Sequence, residues 1–294
     1  MSTLTDPWET IRDLIATDSS DALARFLDGL SPPEAARAVS RLSPEEQQGL
    51  LGLLSPGDAA DLIEEMPEIQ AAELVEEMPS ARAAAILEAL SSDHLVDVLG
   101  EMDVDASRAI LARMDREDAD EARRMLAYPT DCAGGIMVSE FLAYDSDRTI
   151  QDVLDDLQAN RSEYADYHVQ YFYVVDREKR LVGVLRIHDL LFPDRGTRLS
   201  EVMRPSPLCV SDKATLRELR AFFDVHHLFG VPVVDDARRL VGVVLPDAVE
   251  EAVSKQKTRS FLRLSGIVGG EEFRTMPLLC RAGRRLSWLS MNIV

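Results

Sequence analysis

The sequence predicts a two-part fold of the α + α/β class. A right-handed α-superhelix, or solenoid, of short helices comes first, followed by a duplicated α/β module and a connecting helix. Three observations carry this reading. Leu30, Leu42, Leu54, Met66, Met78, Leu90, Met102 and Met114 recur at a fixed interval of 12 residues. Further on, Tyr171–Asp176 with Arg180–Leu185 matches Gly230–Asp235 with Arg239–Val244 at an offset of 59 residues. Between these regions, at Tyr128, helical texture gives way to β-rich segments.

The first half reads as a series of caps and short helices. Ser31, Ser43, Ser55, Ser91, Asp103 and Asp115 stand just after a seam residue, where a side-chain oxygen can accept orphan backbone N–H groups. Pro67 and Pro79 take that place twice. Pro32, Pro44 and Pro56 fall at the first helical position, where a missing N–H costs nothing. Each helix has about two turns and is too short to stand alone. Eight units stacked in series can bury one continuous seam. Glu64, Glu65, Glu76 and Glu77 lie between seam positions and are expected to face water.

In the second half each matching passage is two buried strands joined by a polar turn. Helices over Thr149 to Leu157 and Thr215 to Phe223 precede the hairpins, and short helices begin near Asp189 and Asp247. Met137 and Met203 open the two copies.

Charge narrows the function classes. The 294 residues carry a net charge of −20, unevenly spread. Residues 1–128 hold 28 Asp/Glu against 10 Arg and no Lys, whereas 254–294 hold 8 Lys/Arg against 2 Glu. Such an acidic body repels nucleic acid and attracts cations; plain solubility is the alternative. The basic tail suits the cytoplasmic surface of a membrane. Cys132, Cys209 and Cys280 are far apart and read as reduced thiols. The adjacent His226 and His227 point opposite ways near a strand and cannot readily chelate one ion. There is no Walker loop, no G-x-S-x-G and no Cys/His nucleophile pattern, so no enzyme is expected. No apolar run of 18 residues occurs, and no secretory leader precedes the first domain, so the expected compartment is the cytoplasm.

The β-α-β-β-α order, twice in register over about 137–253, resembles a tandem CBS pair, or Bateman module. Such modules usually take adenosyl nucleotides between the copies. The ribose pattern, glycine to hydroxyl residue to aspartate, is met only in part by Gly183, Arg186 and Asp189, and by Gly242, Leu245 and Asp247. Asp189 is therefore a candidate nucleotide contact, with capping of its own helix as the alternative.

An acidic superhelix running into a CBS pair through Tyr128-Pro-Thr-Asp-Cys-Ala-Gly-Gly-Ile-Met137 resembles the cytosolic region of the MgtE family of magnesium channels and transporters. The resemblance implies an N-terminal segment at 1–20, an acidic helical N domain at 21–128, and CBS domains at 129–200 and 201–253. It also implies a connecting (plug) helix region at 254–283 and the start of a first transmembrane helix at 284–294, marked by Arg284, Arg285 and Trp288. The implied function is Mg²⁺ sensing at the cytoplasmic face of the bacterial inner membrane, in a region soluble on its own. Mg²⁺ bridges the N domain and the CBS pair to close a transmembrane pore of the same full-length protein. The implied partners are a homodimer through the CBS domains and the membrane surface, with no nucleic acid. Carried over residue by residue, the metal set is Asp93, Asp97, the carbonyl of Gly135, Asp247 and Glu250. Without the resemblance, Asp93 and Asp97 read as a helix-start carboxylate and a solvated residue. One departure stands out: the family's connecting helix opens acidic, whereas this chain has Lys255, Lys257 and Arg259, which could pair directly with N-domain carboxylates. Two other readings are a nucleotide-responsive CBS module and a protein-interaction adaptor.

Overall fold

The computed structural model describes residues 6–264 except 162, 163, 165, 166, 168 and 169. The connecting region beyond 264, the membrane entry expected at 284–294, and Cys280 lie outside the described residues, as does the Arg259 side chain.

Ten helices form the first half. α1 (Pro7–Ala16) and α2 (Ser20–Leu27) lead into eight repeat helices: α3 (Pro32–Val39), α4 (Pro44–Leu53), α5 (Pro56–Glu64), α6 (Glu68–Glu76), α7 (Ser80–Leu87), α8 (Ser92–Glu101), α9 (Val104–Leu111) and α10 (Arg116–Leu126). Each packs on the helix two ahead: α3 on α5, α5 on α7 and α7 on α9, with α4 on α6, α6 on α8 and α8 on α10. Two rows of helices thus enclose one core, as a series of marginal units requires. Of the seam residues, Leu42, Leu54, Leu90, Met102 and Met114 are buried, and Leu30, Met66 and Met78 pack against the same core partly buried. The stack begins earlier than the repeat does: α1 packs on α2, α3 and α4, with Ile11 fully buried.

Caps explain why the units break where they do. Ser43 accepts from the N–H of Glu46, Ser55 from Asp58, Asp103 from Asp105 and Asp115 from Glu117. A further device repeats every twelve residues. Glu64, Glu76 and Glu88 accept the backbone N–H groups of Ser91, Asp103 and Asp115, each 27 residues further along. Glu64 and Glu76, expected only to face water, thus satisfy orphan donors at the start of the helix three units on.

A 3-10 turn at Ala133–Gly135 begins the second half. Then follow β1 (Leu142–Asp145), α11 (Ile150–Ala159), β2 (Tyr171–Val175), β3 (Leu181–Arg186), α12 (Leu199–Val202), β4 (Arg204–Pro205), β5 (Val210–Ser211), α13 (Leu216–Val225), β6 (Val231–Val234), β7 (Leu240–Val244) and α14 (Pro246–Leu264). One sheet has the order β1-β2-β3-β4 and the other β5-β6-β7. In each, the first strand is parallel to the second and the third antiparallel. Thr149 and Thr215 cap α11 and α13 with matching capping boxes. Of the short helices expected near Asp189 and Asp247, the first is a 3-10 turn, Ile187–Leu190. The second is the opening of the 19-residue α14, which runs unbroken past residue 254.

The two copies are reciprocal. The N–H of Leu181 donates to the carbonyl of Arg238, and that of Leu240 to Lys179, the same bond read from each side. Met203, at the start of copy two, packs where a Cβ on Gly183 would stand 2.2 Å from its Sδ. Met137, at the start of copy one, does the same at Gly242, at 2.5 Å. Each copy thereby needs its opposite number's opening residue. Among the described residues no helix is long and apolar enough to cross a membrane.

Candidate functional site

The helical domain meets the duplicated module along α8, whose two faces do different work. On one face Val96 joins the core that holds Met125 and Ala133 at the junction and Leu216, Leu219, Val231 and Val249 of the second copy. Burial of such a side chain stabilises the contact by about 1.5–3 kcal/mol. At its N-terminus, Ser92 donates from its N–H and Oγ to the two carboxylate oxygens of Glu140, at 2.9 and 2.8 Å, and accepts from the N–H of Ser139. Burial pushes the Glu140 carboxyl above the usual carboxylate range, although the Ser92 bonds oppose it.

The other face is charged. Asp93 lies in the first turn, its Oδ1 3.5 Å from the Nδ1 of His94, which in turn stands 2.8 Å from the Ser91 hydroxyl. Burial raises the Asp93 carboxyl, but His94 and Ser91 outweigh it and hold it below its ordinary value. The hydrogen bond to Asp93, helped by the charges of Glu64 and Glu251 and opposed by burial, lifts His94 to about 9. Asp97, one turn on, has its carboxyl raised by burial and by the charges of Glu68 and Asp93, with Lys255 pulling the other way.

Lys255 is the centre of this face. Its Nζ stands 2.6 Å from Glu68, 3.0 Å from Asp97 and 3.0 Å from Glu251. One ammonium on α14 thus gathers carboxylates from α6, α8 and α14 itself, and burial does not keep its pKa from rising. The direct pairing anticipated for the basic stretch is therefore found at Lys255.

The remaining residues of the expected set are not brought to this point. Asp247, in the first turn of α14, and Glu250, just beyond it, are exposed, and neither forms an ion pair with the described residues of the helical domain. Gly135 sits in the 3-10 turn of the junction, where a Cβ would approach the Pro129 carbonyl oxygen to 2.1 Å, so only glycine fits. Sequence reasoning named neither Glu251 nor Glu68, the partners that Lys255 finds beside Asp97. The i,i+4 spacing of Glu251 and Lys255 was the readable signal. Asp189 acts as a cap: it accepts from the N–H of Arg186 at 2.9 Å and lies 2.8 Å from the Nε2 of His188. Among the described residues no group of three or more His, Cys, Asp or Glu side chains is gathered to hold a metal ion.

Beside α8 opens a cleft of about 1260 Å³. Asp58, Asp61, Glu64, Glu88, Asp118 and Glu121 lie along its helical wall, and Tyr171, Tyr173 and Phe229 along the opposite one. Burial and the neighbouring Glu88, Asp115 and Glu117 raise the Asp118 carboxyl, a sign of uncompensated negative charge.

Residues 30–131 match the family described as the MgtE intracellular N domain, and residues 133–192 and 199–255 match the CBS domain family. The chain carries an MgtE N domain joined to a CBS pair. It is homologous to the magnesium transporter MgtE of Thermus thermophilus, 31% identical over 52% of this chain and 34% of that protein. A second magnesium transporter MgtE, from Enterococcus faecalis, is 29% identical over 59% and 37% respectively. The chain spans about a third of the length of these curated relatives. A crystal structure of the cytosolic domain of the Mg²⁺ channel MgtE in complex with ATP superposes with a TM-score of 0.73 and 29% identity, covering 83% of this chain and 99% of that one. The soluble part of a magnesium transporter superposes at 0.74 with 22% identity, which speaks for the shared fold alone. In these terms Lys255 links the N domain to the helix that leaves the CBS pair.

Proposed function

We propose that this chain is the cytosolic regulatory region of a bacterial magnesium channel or transporter, and that Mg²⁺ settling between the N domain and the CBS pair biases a membrane pore of the same protein toward closure. The observation that carries the reading is the acidic N-domain wall of the cleft beside α8, where Asp58, Asp61, Glu64, Glu88 and Glu121 stand with Asp118, whose carboxyl is raised by burial and by neighbouring negative charge. A cation that relieves this repulsion favours the joined state, and its loss favours separation.

The residues present fit a hydrated ion better than a caged one. Mg²⁺ gives up its water reluctantly and takes one or two carboxylates per site. The wall of Asp58, Glu88 and Asp118 offers such contacts across open space. Asp93, the exposed Asp247 and Glu250, and the Gly135 carbonyl complete the proposed metal set. Where Asp97 meets Glu68 and Glu251 the fit is poor, because the Lys255 ammonium already stands there. Homodimerisation through the CBS pair fits the large apolar side chains left exposed on it, Leu191, Phe192 and Val225 among them.

A second reading, an adenine nucleotide in the CBS cleft, draws support from the aromatic wall of Tyr171 and Phe229 and from the ATP complex of the related channel domain. The engagement of Asp189 by Arg186 and His188 weakens it. Titration calorimetry separates the two. The magnesium reading expects heat from Mg²⁺ alone, with an affinity on the order of millimolar, and a loss of that heat in an Asp93→Asn/Asp118→Asn variant. Heat from ATP with none from Mg²⁺ would instead establish the nucleotide reading.

A further inference from the structure

The point where the N domain, α8 and α14 converge already contains a cation, and it belongs to the chain. We propose that Lys255 is a tethered counter-ion that holds the N domain against α14 with no divalent ion at that contact, so that this part of the interface stays closed when magnesium is scarce. The proposal does not depend on magnesium binding elsewhere in the chain.

Four features support it. The ammonium contacts carboxylates from three helices within 3.0 Å. Lys255 keeps only 34% of its side chain exposed, and Glu68 and Asp97 keep 30% and 33%, so water screens the group incompletely. Its neighbour Glu251 lies one turn back on the same face of α14 and adds a carboxylate from the helix itself. Apolar packing of Val96 against the cluster that includes Val249 fixes α8 beside α14, which lowers the entropy cost of holding a long lysine stem in one place. An ion bound to oxygens of Glu68 and Asp97 would need the space and the charge that the ammonium supplies. Both cannot sit there without leaving excess positive charge between two half-buried carboxylates.

A tethered ion differs from a free one in a measurable way: its local concentration does not fall when the solution is depleted. The interface then responds to ionic strength, which screens charge, but not to chelation, which removes divalent ions.

The test is hydrogen exchange on the full chain, followed at the amides of α8 and of α14 up to residue 258, in EDTA at low salt. The wild type is expected to be protected there and to lose protection as NaCl rises. Lys255→Met, which keeps the apolar stem and removes the charge, is expected to exchange about fivefold faster, the factor that a partly screened ion-pair network supports. Lys255→Arg is expected to restore protection. Added Mg²⁺ is expected to slow exchange in Lys255→Met more than in the wild type, because in the variant Asp97 and Glu251 no longer face an ammonium. Unchanged protection in Lys255→Met, with a wild type indifferent to NaCl, would overturn the proposal. So would a wild type that is unprotected in EDTA and becomes protected on adding Mg²⁺; that outcome would leave the magnesium-sensing reading standing. Since the salt response is read on the wild type itself, the test survives a variant that folds poorly.

Discussion

The two halves of the molecule are both built by repetition, yet their repeats close in opposite ways. In the N domain a twelve-residue unit is translated along an axis, and each unit passes an unfinished task forward: Glu64, Glu76 and Glu88 satisfy N–H groups that open the helix three units on. In the CBS pair the second copy turns back on the first, so that Met137 fills the space over Gly242 and Met203 the space over Gly183. A translated repeat always has an unfinished end; a reciprocal pair has none. The open end of the solenoid, α8 and α10, is what meets the CBS pair, through Val96 and Met125. The contact between the two halves is therefore made at the end of the solenoid that its own repeat leaves open.

That contrast can be broken at several points, the deepest of them in the N-domain core. Leu87→Ala opens a cavity in the fully buried N-domain core and should cost about 3 kcal/mol in urea unfolding. Lost protection should concentrate in α5, α7 and α9, since a solenoid transmits order only between neighbours. Gly135→Ala forces a methyl group against the Pro129 carbonyl and should cost about 2 kcal/mol. The same change at Gly242 has the flexible Met137 side chain as its nearest neighbour and should cost less in the same assay. Glu88→Ala removes the acceptor for Asp115 and should lower stability by about 1 kcal/mol, with fraying confined to α10 in hydrogen exchange.

The smallest effect is one of pH. Burial raises the folded-state pKa of Glu140, with Asp93 the charged neighbour that adds to it, so its contribution to stability is complete below its ordinary value of 4.5 and is lost as pH rises through the folded value. Glu140→Gln, which keeps an acceptor for the Ser92 N–H, should gain in melting temperature relative to the wild type as pH is raised from 4 to 7. A constant difference across that range would show that the carboxyl is not perturbed.

Much of the fold was legible because its signals are local. Period-twelve seam residues, serine and aspartate caps and the offset of 59 each require only short-range reading, and the helices and hairpins lie where those signals put them. α1 escaped because it lacks the seam period, although Ile11 is buried as deeply as any repeat residue. The acceptor role of Glu64 and Glu76 was hidden for a different reason: it joins residues 27 apart, a distance fixed only by how the units stack. At the candidate site the spacing of Asp93 and Asp97 put both on the charged face of α8, Asp93 beside His94 and Asp97 against Lys255. The convergence of Glu68 and Asp97 on Lys255 was not legible, because it depends on how α6, α8 and α14 pack together.

Under the proposed function, divalent charge at the acidic face joins the N domain to the CBS pair. The most direct test is the melting temperature of the chain in rising MgCl₂, to about 10 mM as suits a weak hydrated-ion site, against NaCl of equal ionic strength. The account predicts a rise in Mg²⁺ well above any rise in Na⁺, diminished in Asp93→Asn/Asp118→Asn. Equal responses to the two salts would contradict it.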